Sequence, residues 1–269
     1  MKAGDVIETI AEALRGQPAV RALFLSGSHG NGRADAWSDI DFILVSPDGP
    51  SDAVAALWHE AVARTGEIVL WRDRTVRPAL VNAITADWTR TDAVILTPEQ
   101  VRSHPRSGLV PLLDRDDIHD SLPGDTPAPG VPPARLRYQF EEFLRVLGLL
   151  HLAMSRQEYL NGVTGVFHLR TLLIDLLIEE NGAPDRGGAL HLGRLLTAEQ
   201  TALVAALPVP AAEREAIVAA NLAFARAYLP RARRLAAARG VAWPERLEAA
   251  TWAVLERSPG IARPYEPER

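Results

Sequence analysis

The stretch "SLPGDTPAPGVPP", residues 121–133, holds five prolines and two glycines. Proline fixes φ and removes a backbone donor, so neither a helix interior nor a central strand can run through it. Before it, short apolar runs alternate with turn residues. After it, apolar residues recur at helical spacing. The chain is therefore expected to fold as two parts: residues 1–120, a linker at 121–133, and residues 134–269. A length of 269 residues lets each part bury a core of its own.

In the first part, Val6, Ile7, Ile10 and Leu14 form one stripe of a helix near residues 3–15. Period-2 and apolar runs predict strands at 19–27, 39–46, 67–71, 79–88 and 91–97, the last two joined by a tight turn around Trp88–Arg90. Ser51 is placed to cap a helix to about Arg64, and Thr97-Pro98-Glu99-Gln100 has the pattern of a capping box. Strands mixed with helices read as an α/β or α+β unit. Beyond the linker, helices are expected over 134–155, 165–182, from Thr197, and near 211–238 and 244–257, a bundle of four or five.

Composition narrows the function classes. Formal net charge is −5, a poor balance for general nucleic-acid binding. Lys2 is the only lysine, so a phosphate grip must come from arginine or backbone. The absence of cysteine excludes disulfides, thiolate metal sites and cysteine nucleophiles, and makes a cytoplasmic setting the expectation. The N-terminal segment carries acids and lacks a secretory h-region, and no run of about 18 apolar residues occurs, so no membrane span is expected.

The chemistry concentrates in "GSHGNGRADAWSDIDFILV", residues 27–45. Side chains alternate along a strand, so Asp39 and Asp41 share one face while Ile40 and Phe42 take the other. Two neighbouring carboxylates repel unless a cation lies between them, and hard oxygen donors suit Mg²⁺. At the end of the preceding strand, Gly27 and Ser28 would let backbone amides and a hydroxyl approach a phosphate. Gly30 and Gly32 keep the loop compact, and Arg33 adds positive charge. His29 within the loop and Trp37 before the aspartates are weaker candidates, for a phosphate and for a base or sugar. His151, His168 and His191 do not share metal-ligand spacing. Arg137, Arg156 and Arg170 are candidate clamps from the helical half, against the plainer reading of ion pairs.

An apolar strand ending in Gly-Ser, then Asp-x-Asp opening a second strand, resembles the signature of the DNA polymerase beta-like nucleotidyltransferase superfamily. That family adds a third carboxylate on a later strand. Asp92 at the start of "DAVIL" fits it, with Asp87 the competitor. The layout resembles the antibiotic nucleotidyltransferases of aminoglycoside or lincosamide type. The resemblance implies an α+β N-terminal nucleotidyltransferase domain, a mixed sheet flanked by helices, followed by a C-terminal α-helical bundle domain. It implies transfer of a nucleoside monophosphate from an NTP, with ATP the first expectation, to a hydroxyl of a small molecule such as an aminoglycoside, hence antibiotic resistance. Asp39, Asp41 and Asp92 would be the catalytic residues and would hold two Mg²⁺ ions, with Gly27, Ser28 and Arg33 on the nucleotide. Two alternatives stay open: modification of a protein partner, as in antitoxin-like members, and a non-catalytic nucleotide-binding regulator on the same fold.

Overall fold

The computed structural model describes residues 1–74, 79–124, 131–182, 192–258 and 260–264. The described chain divides into two compact units, Met1–Pro127 and Ala128–Arg269. Part of the proline-rich stretch, residues 125–130, lies outside the described residues.

The first unit is a six-stranded mixed sheet with flanking helices. Its elements run α1 (Ala3–Arg15), β1 (Ala22–Ser26), α2 (Gly27–Gly30), β2 (Ile40–Val45), α3 (Asp52–Ala63), β3 (Ile68–Arg74), β4 (Ala79–Thr85), β5 (Arg90–Leu96), α4 (Pro98–Val101), β6 (Val110–Asp114) and α5 (Ile118–Ser121). The strand order is β3-β4-β5-β2-β1-β6. Only β2 and β5 run parallel; the other neighbours are antiparallel.

Alternation along the strands assigns the two faces. Leu23, Leu25, Ile40, Phe42, Leu44, Val81, Ala83, Ala93 and Ile95 pack with the apolar stripes of α1 and α3. Trp58 of α3 is fully buried there, edge-on to Phe42 at a ring separation of 5.1 Å. On the opposite face, Ala22, Phe24, Ile43, Val45 and Leu96 form a smaller core with Val101, Leu109, Ile118 and Leu122. That core covers only part of the face, and polar side chains take over toward the C-terminal end of β1 and the start of β2. The predicted caps form: Ser51 Oγ accepts from the Val54 amide, and Thr97 and Gln100 make a capping box. The second box starts only one turn of helix, α4.

Several elements of the first unit differ from the sequence expectation. Val110–Asp114 pairs with β1 as an edge strand; Pro111 in the run hides it, since an edge is where a strand admits proline. Gly27–Gly30 is a turn of helix rather than a plain loop. The strand expected from Asp39 begins at Ile40.

The second unit is helical: α6 (Pro133–Gly148), α7 (Leu150–Ser155), α8 (Tyr159–Asn181), α9 (Leu192–Leu195), α10 (Ala198–Ala206), α11 (Arg214–Ala238) and α12 (Glu245–Arg257). Its core is built from Phe140, Phe143, Leu144, Leu173, Phe224 and Tyr228, with Phe143 and Tyr228 stacked at 3.7 Å. The helix expected over 134–155 is two, broken at Leu149. The helix expected from 165 begins at Tyr159, because Gly162 lies against Ile217 inside the packed helix and breaks nothing. Among the described residues α8 alone is long and apolar enough to cross a membrane by length and composition. Its apolar side, Val166, Leu169, Leu173, Leu176 and Leu177, is buried in the core of this unit.

Candidate active site

Register builds a polar row across the sheet. Ser26 of β1 is opposite Asp41 of β2, Asp41 is beside Asp92 of β5, and Asp92 is opposite Asn82 of β4. Asn82 in turn is opposite Arg72 of β3. Cross-strand partners share a face, so five strands place Ser26, Asp41, Asp92, Asn82 and Arg72 along one line.

Asp39 precedes Asp41 by two residues and is anchored by Arg90, whose guanidinium lies 3.6 Å from Asp39 Oδ2 and donates to the Trp37 carbonyl at 3.0 Å. Arg90 also precedes Asp92 by two residues. Three carboxylates and one guanidinium therefore gather at the start of the parallel β2–β5 pair. The electrostatic consequence falls on Asp41. Burial, then the charges of Asp39 and Asp92, push its carboxyl up to about 6, with Arg90 opposing.

The Gly27–Ser28 turn sits directly on this carboxylate. Gly27 has φ +58°, and a Cβ there would fall 1.9 Å from Asp41 Oδ2. Only glycine permits both the left-handed backbone and that approach. Gly30 is fixed by a different constraint, the carbonyls of Gly108 and Leu25, which a Cβ would meet at 2.4 and 2.8 Å. Between them, Ser28 Oγ is buried with no hydrogen-bond partner, and so is His29 Nε2. Unpaired buried polar atoms are costly, and two of them lie in the turn that rests on Asp41. Burial lowers the His29 pKa while the nearby Asp39 charge works against that. Arg33 is exposed, with its amide donating to the Ser28 carbonyl at 2.8 Å, which closes the loop behind the turn.

Asp87 is not in the row. Its carboxylate accepts from Thr85 Oγ1 at 2.6 Å, from the Met1 ammonium at 2.9 Å and from the Thr89 amide at 3.4 Å. These bonds, that of Thr85 foremost, hold it well below the usual carboxylate range. In the helical unit, Arg137 pairs with Glu141 at 2.8 Å, and Arg170 donates to the Val204 carbonyl at 3.1 Å. Arg156 lines a cavity of about 240 Å³ with Val146, Leu150, Ala153, Asn161 and Asn221. His151 Nδ1 donates to the Gly148 carbonyl at 2.6 Å, His168 lies 3.6 Å from Glu142, and His191 is outside the described residues. Ser26, Asn82, Arg72 and Arg90 are the members of the site that the sequence reading missed. Arg90 carries a usable signal, being two residues before Asp92 on the same strand. Ser26 and Asn82 are visible only once register is known.

Among the described residues, no three His, Cys, Asp or Glu side chains stand close enough together to hold a metal ion by themselves. The donor chemistry nevertheless fits Mg²⁺. That ion is held by one or two carboxylates together with substrate phosphates and waters, rather than by an all-protein cage. A half-buried Asp41 whose charge is opposed by two neighbouring acids is a carboxylate short of cations.

Residues 7–82 match the family model of the nucleotidyltransferase domain, a span that includes Gly27, Ser28, Arg33, Asp39 and Asp41. The first unit thus carries a nucleotidyltransferase domain. No curated protein matches the chain. Among solved structures, an aminoglycoside 6-adenyltransferase from Bacillus subtilis is 11% identical, with 93% of this chain and 95% of that chain covered and a TM-score of 0.43. A nucleotidyltransferase-like protein from Exiguobacterium sibiricum 255-15 is 13% identical, with 95% and 80% covered and a TM-score of 0.41.

Proposed function

We propose that this nucleotidyltransferase moves a nucleoside monophosphate, AMP from ATP in the first instance, to a hydroxyl of a small molecule and releases pyrophosphate. The observation that carries the proposal is the row Ser26–Asp41–Asp92 with the Gly27–Ser28 turn resting on its central carboxylate. The unpaired Ser28 hydroxyl and the amides of the turn are donors for the terminal phosphates. Asp39, Asp41 and Asp92 would hold Mg²⁺, two ions in the full complement. Bound there, Mg²⁺ neutralises the triphosphate and offsets the charge that develops on departing pyrophosphate. Asp92 lies on the far side of Asp41 from the phosphate turn. An in-line displacement brings the acceptor hydroxyl from the side opposite the leaving group, which supports the reading of Asp92 as the base that takes its proton. Arg90 keeps Asp39 aimed at the row.

Aminoglycoside-type antibiotics are the acceptor class to test first, and the cytoplasm, where ATP and Mg²⁺ are abundant, is the proposed compartment. The test is a pyrophosphate-release screen of hydroxylated small molecules against each NTP. Turnover with an acceptor that falls roughly 10²–10⁴-fold in Asp39→Ala, Asp41→Ala and Asp92→Asn supports the assignment. Asp39→Ala with wild-type turnover would remove it.

A further inference from the structure

We propose that the cavity walled by Trp37 and Trp88 seats the nucleobase of the donor nucleotide, which stacks against the two indoles. The inference rests on the nucleotide-donor reading above. The cavity, about 620 Å³, lies in the first unit, and Trp37, Ser38, Ile40, Trp88, Thr89 and Arg90 are among its walls. Its volume is within the range of small-molecule sites.

Three observations point to a flat, uncharged occupant. First, the indoles are bare: Trp37 is 86% and Trp88 is 74% exposed. Large aromatic side chains ordinarily bury most of their surface or present it to a ligand. Second, the backbones under these bare rings are fixed. The Trp37 amide donates to Asp35 Oδ1 at 2.9 Å, and the Trp37 carbonyl accepts from Arg90 at 3.0 Å. The Trp88 amide donates to the Thr85 carbonyl at 2.8 Å. Trp88 also holds a left-handed φ of +63°, which is costly for a bulky residue and which glycine or asparagine would adopt more readily. The turn geometry alone therefore does not account for tryptophan at this position. Third, the charges in the wall are matched locally: Arg90 faces Asp39, and Asp87 is ringed by donors. Such a wall suits a neutral ring and gives no purchase to a polycation.

Location ties the cavity to the phosphates. One loop leaves the Gly27–Ser28 turn and arrives at Trp37–Asp39, and Arg90 links the Trp37 carbonyl to the Asp39 carboxylate. The cavity thus shares Arg90 with Asp39, one of the carboxylates beside which the phosphates of a bound nucleotide would lie. Stacking is tolerant of base identity because every base has a π-face. The structure thus assigns this enzyme a weak preference among NTPs.

The test is equilibrium binding to the full chain in Mg²⁺, with ATP, GTP, CTP and UTP, and with inorganic tripolyphosphate as a probe that has no base. It compares the wild type with Trp37→Leu, Trp88→Leu and the conservative Trp37→Phe and Trp88→Phe. Both rings are on the surface, so circular dichroism should show every variant folded. The expected result is an affinity for ATP about tenfold weaker in each leucine variant and largely restored by phenylalanine, with tripolyphosphate binding unchanged throughout. Unchanged ATP affinity in both leucine variants overturns the base seat and leaves the nucleotide-donor reading standing. Tripolyphosphate binding weakened in the leucine variants by the same factor as ATP also overturns it, because the indoles would then not be acting on the base. Failure of the wild type to bind any NTP overturns both readings.

Discussion

At the scale of single residues, the site is held by positions that admit one amino acid. Gly27 is the sharpest. Gly27→Ala would combine a positive φ with a Cβ 1.9 Å from Asp41 Oδ2, so the turn must withdraw from the carboxylate. The expected outcome is a loss of nucleotidyl transfer comparable to loss of Asp41, together with a stability cost of about 1–2 kcal/mol from the backbone alone, read by urea titration. Asp41 makes the opposite kind of prediction. Its pKa is raised, so the folded state holds the proton more tightly than the unfolded state does. Stability from this group is present below the unfolded value of about 4 and is lost as pH rises to about 6. In EDTA, Asp41→Asn should therefore stabilise the protein at pH 8 by about 1–2 kcal/mol, after allowance for its partial exposure, and by much less at pH 4. Equal effects at the two pH values would show that Asp41 is not under electrostatic strain.

At the scale of elements, one buried acid organises the end of the helical unit. Glu248 of α12 is 2% exposed and accepts from Trp243 Nε1 at 2.7 Å and from the guanidinium groups of Arg233 and Arg263. Removing it takes a buried carboxylate partner from Trp243, from Arg263 and from Arg233, which keeps Glu245, and Glu248→Ala should cost the unit about 1–3 kcal/mol in chemical denaturation. The same scale shows what was legible in the sequence. The face that Asp41 takes, opposite to that of Ile40 and Phe42, follows from a period of two, and the Thr97 and Thr197 caps follow from side chains that reach one turn. These are local rules. Ser26 and Asn82 belong to the site through pairing across strands distant in sequence, and no local pattern fixes which strand lies beside which. The edge strand at Val110–Asp114 was hidden by Pro111, and the true start of α8 by Gly162, whose packing against Ile217 overrode its usual role as a breaker. Trp37 carried a hint of stacking, but its partner Trp88 reads as a turn residue until both are seen to wall one cavity.

At the scale of the whole molecule, all the groups proposed for the donor nucleotide fall within Met1–Pro127, which has its own sheet and cores. Residues 1–127 expressed alone, and shown folded by circular dichroism, should bind MgATP within about tenfold of the full chain; a larger loss would mean that the helical unit supplies donor contacts. The central claim is that the row Asp41–Asp92 transfers a nucleotidyl group, and label transfer tests it most directly. With an acceptor found by screening, ATP labelled at the α-phosphate should pass its label to the acceptor, ATP labelled at the γ-phosphate should pass none, and Asp92→Asn should abolish the transfer. Label arriving from the γ-phosphate, or α-label arriving undiminished in Asp92→Asn, would contradict the account.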